Sequence, residues 1–280
     1  MGWDAQWSMS GRDLGFVAEA LFDRYLAERG YTAHASDDPG QRNPDRLITV
    51  PDGRRAVCEV KSFASKGLLK RAHFREGEAG TGMRVSQPMV QSQKEALEPV
   101  RDKIKEAAKQ LRRYKDDGLP LMVVLANPMS KPIPFDESSL IAAMYGDIEA
   151  VFEIPEQGAE GEGESWLAAG LNGKLTNDHQ YISAVALLRE RPHSIAWAAA
   201  WFDENRSRFE DPKDMAVGYL EAAVTEDVPQ GSDVFLSIIE TASEEAVPLP
   251  RDLFNGPLDL RYSLLLDGSG FGLLDDHTTH

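Results

Sequence analysis

Residues 45–61 read DRLITVPDGRRAVCEVK, two alternating runs with a turn signal between them. In the runs 45–50 and 55–61, apolar and polar side chains alternate with the period of two that is typical of β-strands. Pro51-Asp52-Gly53 separates the runs, and proline followed by glycine favours a tight turn. The pattern therefore predicts a β-hairpin.

Alternation also sorts the side chains of the second strand between the two faces of a sheet. Glu59 and Lys61 share one face and are expected to be neighbours. The other face carries the small apolar residues Ala56, Cys58 and Val60. The residues before Asp45 are loop formers that end in Asn43-Pro44. Pairing of the two strands is then expected to bring Asp45 close to Glu59.

A third carboxylate is predicted on a helix upstream of the hairpin. Residues 11–29 have helical periodicity, and Gly30 is a stop signal. Glu19 lies on a face of this helix whose neighbours are mostly uncharged, namely Gly15, Phe16, Phe22 and Leu26. A carboxylate on an apolar face must be neutralised, paired or bound to a cation, because burying it bare is costly. A salt bridge to an arginine and a bound metal ion both satisfy this requirement.

The motifs Asn43-Pro44-Asp45 and Glu59-Val60-Lys61 resemble those of the PD-(D/E)XK nuclease superfamily, whose members are restriction-endonuclease-like phosphodiesterases. The resemblance covers residues 11–127 and implies an α/β core that runs helix, three strands, helix, strand. The matching segments are residues 11–29, 31–35, 45–50, 55–61, 98–115 and 121–126. We accordingly predict a nuclease core at 1–135 with an insertion at about 62–97. Residues 136–280 are predicted to be an acidic α+β extension of the sheet that packs on this core.

The resemblance implies metal-dependent hydrolysis of phosphodiester bonds, in DNA rather than RNA. Asp45, Glu59 and the backbone carbonyl of Val60 would hold Mg²⁺ or Mn²⁺, hard ions that prefer oxygen ligands. Glu19 would bind a second ion or fix a water. Lys61 would orient or deprotonate the attacking water and stabilise developing charge.

The resemblance extends to the second helix, where Gln110 and Tyr114 match positions that point at the site in some branches of the superfamily. Gln110 is therefore included among the candidate catalytic residues. An ordinary helix surface would explain both residues equally well.

Charge is distributed unevenly along the chain. The net charge is −16, but residues 1–135 carry 22 Lys and Arg against 18 Asp and Glu, so the acidic surplus belongs to the second half. Basic patches bind phosphate backbones through counterion release. The candidate nucleic-acid-binding residues are Lys66, Lys70, Arg71, Arg75, Lys109, Arg112 and Tyr114. The acidic half could instead serve solubility or dock a basic protein partner.

Composition excludes several classes of protein. No apolar run approaches the ~20 residues that cross a bilayer, and no signal-peptide pattern opens the chain. With one cysteine there is no disulfide framework, and the six histidines show no metal-ligand spacing. We expect a cytoplasmic protein.

Two alternatives to a nuclease stay open at this stage. The first is a catalytically inactive nucleic-acid-binding or regulatory subunit with the same fold. The second is a protein-interaction module in which Glu59 and Lys61 form an ordinary surface ion pair and Asp45 is a turn residue. A homodimer would suit double-strand cleavage, and restriction, repair and defence are all compatible pathways.

Overall fold

The computed structural model describes most of the chain: residues 11–34, 46–50, 52–63, 74–76, 84–86, 92–128, 133–146, 148–152, 165–169, 172–209, 211–225, 227–264 and 271–273. These residues form a mixed α/β structure with an eight-stranded sheet, two two-stranded sheets and five α-helices. The predicted α/β class is confirmed. None of the described helices is both long enough and apolar enough to span a bilayer.

The elements follow one another along the chain with these bounds. The first half contains α1 (Gly11–Glu28), β1 (Thr32–His34), β2 (Arg46–Thr49), β3 (Arg55–Ser62), β4 (Phe74–Glu76), β5 (Arg84–Ser86), α2 (Gln93–Leu111) and β6 (Leu121–Ala126). The second half contains α3 (Glu137–Tyr145), β7 (Ile148–Phe152), β8 (Ser165–Ala169), β9 (Ala184–Pro192), α4 (His193–Asn205), α5 (Pro212–Thr225), β10 (Ser232–Glu240), β11 (Leu260–Leu264) and β12 (Phe271–Leu273).

The large sheet has the strand order β1-β2-β3-β6-β9-β10-β11-β12. β1, β2 and β3 are antiparallel neighbours, whereas β3, β6 and β9 are parallel. β10 is parallel to β11, and β11 is antiparallel to β12. Strands from both sides of residue 135 therefore lie in one sheet, and the domain boundary at that residue stays a prediction.

The chain divides into two compact units, residues 1–188 with 236–280 and residues 189–235. The smaller unit contains α4 and α5. Their aromatic side chains hold the two helices together: the ring of Tyr219 stacks on Phe202 at 4.9 Å and also contacts Trp197 and Trp201 at 5.8 and 5.7 Å. The hairpin of α4 and α5 thus has an aromatic cluster of its own.

The end of α1 is set by glycine, as its sequence predicts. Gly30 has a φ of +70°, and the N–H groups of Gly30 and Tyr31 bond back to the carbonyls of Ala27 and Leu26 at 3.1 and 2.9 Å. This pair of bonds is a Schellman motif, which satisfies carbonyls that the helix leaves open. The buried face of α1 consists of Ala18, Phe22, Tyr25 and Leu26.

The predicted hairpin is present as β2 and β3. Arg46 pairs with Cys58 and Thr49 with Arg55 in antiparallel register. Gly53 adopts a φ of +87° in the turn, a conformation that glycine reaches without strain. The N–H of Val50 bonds to the carbonyl of Arg54 at 3.0 Å and closes the turn.

The helix α2 begins earlier than the predicted residue 98. Ser92 and Glu95 form a reciprocal capping box, which satisfies the first N–H groups and fixes the start at Gln93. The helix ends at Leu111, and a 3₁₀ turn follows at Arg112–Tyr114. One face of α2 carries buried Val100, Ile104, Ala107 and Leu111, which pack in the same core cluster as Val57 of β3 and Val123 of β6.

Candidate active site

Strand β3 lies between β2 and β6 and carries the predicted motif on its second half. Val57 and Phe63 belong to the core cluster on the α2 side of the sheet. Because side chains alternate, Glu59 and Lys61 face the same side as these two residues, towards α2. The opposite face of β3 carries Ala56, Cys58 and Val60, all buried.

Glu59 is fully buried and its carboxylate accepts a hydrogen bond from Lys61. The distance from Lys61 Nζ to Glu59 Oε1 is 2.6 Å. The Lys61 side chain is 13% exposed and the Glu59 side chain 0% exposed. A buried carboxylate needs a positive partner, and here the ammonium two residues along the strand supplies it. The structure therefore brings the two predicted residues together.

A second carboxylate reaches Lys61 from the facing helix. Glu106 of α2 places Oε1 3.9 Å from Lys61 Nζ, and its Oε2 accepts a hydrogen bond from Lys103 at 2.7 Å. Partial burial raises the pKa of Glu106, but the hydrogen bond and charge of Lys103 and the charge of Lys61 outweigh burial and bring that pKa below its ordinary value. The four side chains form a row of alternating charge from Glu59 outward.

Glu106 is not among the site residues predicted from the sequence, although one feature of the sequence indicated it. Glu106 lies four residues before Gln110 on α2, so the two share a helix face. That face was already predicted to point at the site through Gln110. An acid on the same helix face as Gln110 was therefore the feature that indicated Glu106.

A pocket of about 880 Å³ opens beside this row. It is lined by Asp102, Lys105, Glu106, Lys109, Gln110 and Arg113 of α2 and its following turn. Two of the predicted residues, Lys109 and Gln110, are therefore beside the site. Gln110 Oε1 is buried and accepts no hydrogen bond from the part of the chain that the structure describes. This lining carries three bases and two acids.

The remaining predictions on this helix concern the 3₁₀ turn. Arg112 is exposed at its start. Tyr114 packs partly against the core cluster, and the guanidinium of Arg113 lies 4.7 Å from the centre of its ring. Packing against the core and a cation–π contact already use much of the aromatic surface. A role for Tyr114 in nucleic-acid binding stays a prediction.

The structure does not bring Glu19 to this site. Glu19 Oε2 lies 3.5 Å from Arg46 Nη1, and the same guanidinium bonds Asp23 at 2.5 and 2.6 Å. Arg46 pairs with Cys58, so its side chain shares the sheet face of Cys58 and not that of Glu59. The arginine salt bridge considered for Glu19 is present, on the α1 side of the sheet.

Several predicted residues lie outside the described part of the chain. These are Asp45 and the bases Lys66, Lys70 and Arg71. Arg75 lies in β4, and its side chain is outside the described atoms. Arg46 follows Asp45 in the sequence and is described; it pairs with Cys58, the residue before Glu59.

The described residues offer few ligands for a divalent cation. Among the described residues, no group of three His, Cys, Asp or Glu side chains could hold a metal ion. Glu59 nevertheless suits a hard cation, because it is a buried carboxylate that already requires positive charge. The described residues thus supply one suitable carboxylate, the adjacent backbone of Val60, and Glu106 at the pocket.

No family model matches the chain, and neither a curated protein nor a solved structure does.

Proposed function

We propose that this protein is a divalent-metal-dependent nuclease that hydrolyses phosphodiester bonds, with DNA as the preferred substrate. One observation carries the proposal: the fully buried Glu59 is neutralised by Lys61 on a central strand, and Lys61 also reaches Glu106 at a pocket that carries three bases and two acids. A structural ion pair has no need of such a pocket. A phosphoryl-transfer site needs all three features, namely the carboxylate, the lysine beside it and the pocket.

The order of elements supports a restriction-endonuclease-like core. α1, β1, β2, β3, α2 and β6 follow one another as helix, three strands, helix and strand, with β4 and β5 in the predicted insertion. Glu59 and Lys61 of the motif lie on β3, the strand that carries them in the proposed core. We therefore retain the PD-(D/E)XK nuclease superfamily as the proposed family.

The metal would be held by Glu59, by the carbonyl of Val60 and, in the proposal, by Asp45. A bound Mg²⁺ or Mn²⁺ supplies polarisation of the phosphoryl oxygen and lowers the pKa of water. Lys61 would then orient the water and stabilise negative charge on the phosphoryl group. Glu19 is not part of this set, because Arg46 holds it on the other face of the sheet.

The substrate backbone would lie along α2. Lys105, Lys109 and Arg113 line the pocket and would contact phosphates. Gln110, with its buried unsatisfied oxygen, would accept a hydrogen bond from a water or from the substrate. The predicted bases of the insertion, Lys66 to Arg75, would extend this surface.

A second candidate is an inactive nucleic-acid-binding subunit with the same fold. It is favoured by the lack of a three-carboxylate group among the described residues. It predicts affinity for nucleic acid without cleavage. We keep a cytoplasmic location as part of both proposals, with which a single buried cysteine is compatible.

Cleavage assays separate the candidates. The purified protein is incubated with supercoiled, linear and single-stranded DNA and with RNA, in Mg²⁺, Mn²⁺ or chelator. The nuclease predicts cleavage that is lost with chelator and in Glu59→Gln, and that is retained in Lys94→Ala, a change at an exposed position of α2. Binding without cleavage under every condition would support the subunit instead.

A further inference from the structure

We propose that the outer face of α5 binds an amphipathic helix of another protein, one whose apolar stripe is bordered by lysine or arginine. The observation that carries this proposal lies within the smaller unit. Three aliphatic side chains of α5 form an exposed outer stripe: Val217 is 55% exposed, Leu220 62% and Val224 86%. Two exposed acids, Asp214 and Glu221, border the stripe. The surface is independent of the proposed nuclease site.

The helix α5 has two apolar faces. Its inner face packs on α4, where the ring of Tyr219 contacts Trp197 and Trp201 at 5.8 and 5.7 Å. Ala222, one turn further along the same face, is buried. At about 100° per residue, the outer stripe projects from the opposite side of the helix. A helix that is apolar on both sides is normally packed on both, and α4 covers only the inner one.

The spacing of the outer stripe fits a helical partner. Its members are three and then four residues apart, which is the spacing of a seam at which two helices pack. From Val217 to Val224 the stripe covers two helical turns, about 10 Å along the axis. Single exposed hydrophobic side chains are ordinary, but a continuous row of them on one face marks an interaction surface. A partner helix presents its own apolar side chains with the same period.

The two borders of the outer stripe differ in charge. Asp214 and Glu221 are seven residues apart, so they lie two turns from each other on the same border. Ala216 and Ala223 lie on the other border, where small side chains allow a partner helix to approach closely. In sequence, residues 211–227 carry five acids and one base. The surface therefore combines an apolar row with an acidic border.

This charge favours a basic partner over a second copy of the chain. In an antiparallel pairing of two α5 helices, Asp214 of one copy would come close to Glu221 of the other, and like charges repel. In a parallel pairing, Glu221 would face Ala216 and gain no opposite charge. A helix with two bases seven residues apart would instead place one base beside each acid. The net charge of −16 also opposes self-association.

Binding of designed peptides to the full chain tests the proposal. The probes are two labelled helical peptides about three heptads long, with leucine at the seam and either lysine or glutamate on the borders. Fluorescence anisotropy measures their affinity. We expect the lysine peptide to bind the wild type and the glutamate peptide to bind about tenfold more weakly or less. Leu220→Ser should weaken binding of the lysine peptide about tenfold, because it removes the centre of the stripe.

A charge reversal tests the acidic border separately. Asp214→Lys should weaken the lysine peptide and strengthen the glutamate peptide, each about fivefold. The matched control is Asp203→Lys, the same change at an exposed position of α4. Asp203 lies about 200° around that helix from Trp201, so it faces away from α5, and its reversal should leave the preference nearly unchanged. Equal effects of the two reversals would mean that overall charge alone attracts the peptide, which overturns the proposal.

Four other results would overturn the proposal. The lysine peptide could fail to bind the wild type, or could bind Leu220→Ser equally well. Sedimentation could show a wild-type dimer that Leu220→Ser separates, which would assign the face to a second copy. We expect Leu220→Ser to unfold in urea near the wild-type midpoint. A loss of stability as large as that of Tyr219→Ala would instead mean that the chain itself covers the stripe.

Discussion

Glu59 and Asp259 are both buried carboxylates of the larger unit, yet their surroundings differ. The side chain of Asp259 is 2% exposed. It accepts hydrogen bonds from the Tyr25 hydroxyl at 2.6 Å and from the N–H groups of Gly256 and Leu236 at 2.6 and 2.8 Å. Arg29 Nε lies 3.9 Å from Asp259 Oδ2. Glu59 is instead neutralised by Lys61, whose ammonium also lies 3.9 Å from Glu106, a residue that lines the pocket.

The difference separates a structural acid from a candidate functional one. Two donors of Asp259 are backbone groups and the third is a buried phenol, so none can leave without breaking the fold. The ammonium of Lys61 sits on a flexible stem with another carboxylate in reach. Burial alone therefore does not distinguish the two acids, and the movable partner is what makes Glu59 the candidate.

The largest expected effect is on catalysis. Under the proposed function, Lys61→Ala should reduce Mg²⁺-dependent cleavage by about a hundredfold or more, because it removes the charge that would lie next to the reacting phosphoryl group. Cleavage rates under single-turnover conditions measure this loss. Full activity in Lys61→Ala would place Glu59 and Lys61 with the structural ion pairs and end the contrast with Asp259.

The next largest effect is on stability. Asp259→Ala should destabilise the fold by about 3 kcal/mol, because it leaves two N–H groups and a phenol unsatisfied in the interior. Tyr25→Phe should cost about 1 kcal/mol, since it removes one hydrogen bond and retains the ring. Urea unfolding measures both values. If Asp259→Ala destabilised the fold less than Tyr25→Phe does, Asp259 would not be a structural acid.

Glu59→Gln should have a smaller effect on stability, within about 1 kcal/mol of wild type. The amide avoids burial of a charge, and Lys61 can move to Glu106 and keep a partner. The same urea series measures it, with Mn²⁺ binding recorded in parallel. Destabilisation as large as that of Asp259→Ala would show that Glu59 is equally structural.

A further effect is confined to alkaline pH. Burial, and then the charge and hydrogen bond of Asp259, raise the pKa of Tyr25 far above its ordinary value near 10. Above pH 10 the unfolded chain releases this proton while the folded chain retains it, so stability is complete below pH 10 and falls as pH rises. The slope is about 1.4 kcal/mol per pH unit for one proton.

Tyr25→Phe tests this pH dependence directly. The substitution should flatten the fall of stability above pH 10 by the equivalent of one proton, measured by urea unfolding at several pH values. It should not abolish the fall, because burial also raises the pKa of Tyr145 and Tyr181. An unchanged slope would mean that Tyr25 is not held as a neutral donor to Asp259.

Elements with strong local signals were predictable from the sequence. The alternation of apolar and polar residues predicted β2 and β3, and Gly53 predicted the turn between them. The apolar run 121–126 predicted β6 with its observed bounds. The helix α5 was missed, because Gly218 and β-branched residues lower its intrinsic helix propensity. Its stability comes from ring contacts with α4, which a local pattern cannot show.

The candidate site was predictable only in part, for a geometric reason. Glu59 and Lys61 are two residues apart on one strand, so alternation alone makes them neighbours. Glu106 reaches them from another element, and its proximity depends on how α2 packs on the sheet. The position of Glu19 depends likewise on another element, since its partner Arg46 lies on β2 with its side chain on the sheet face opposite to Glu59.

The bond between Tyr25 and Asp259 joins residues 234 positions apart. During synthesis, α1 is made well before Asp259, and Tyr25 cannot form this bond until residue 259 has been translated. The nascent chain would therefore carry Tyr25 without Phe254 and Asp259 during that interval, in which a chaperone could engage α1.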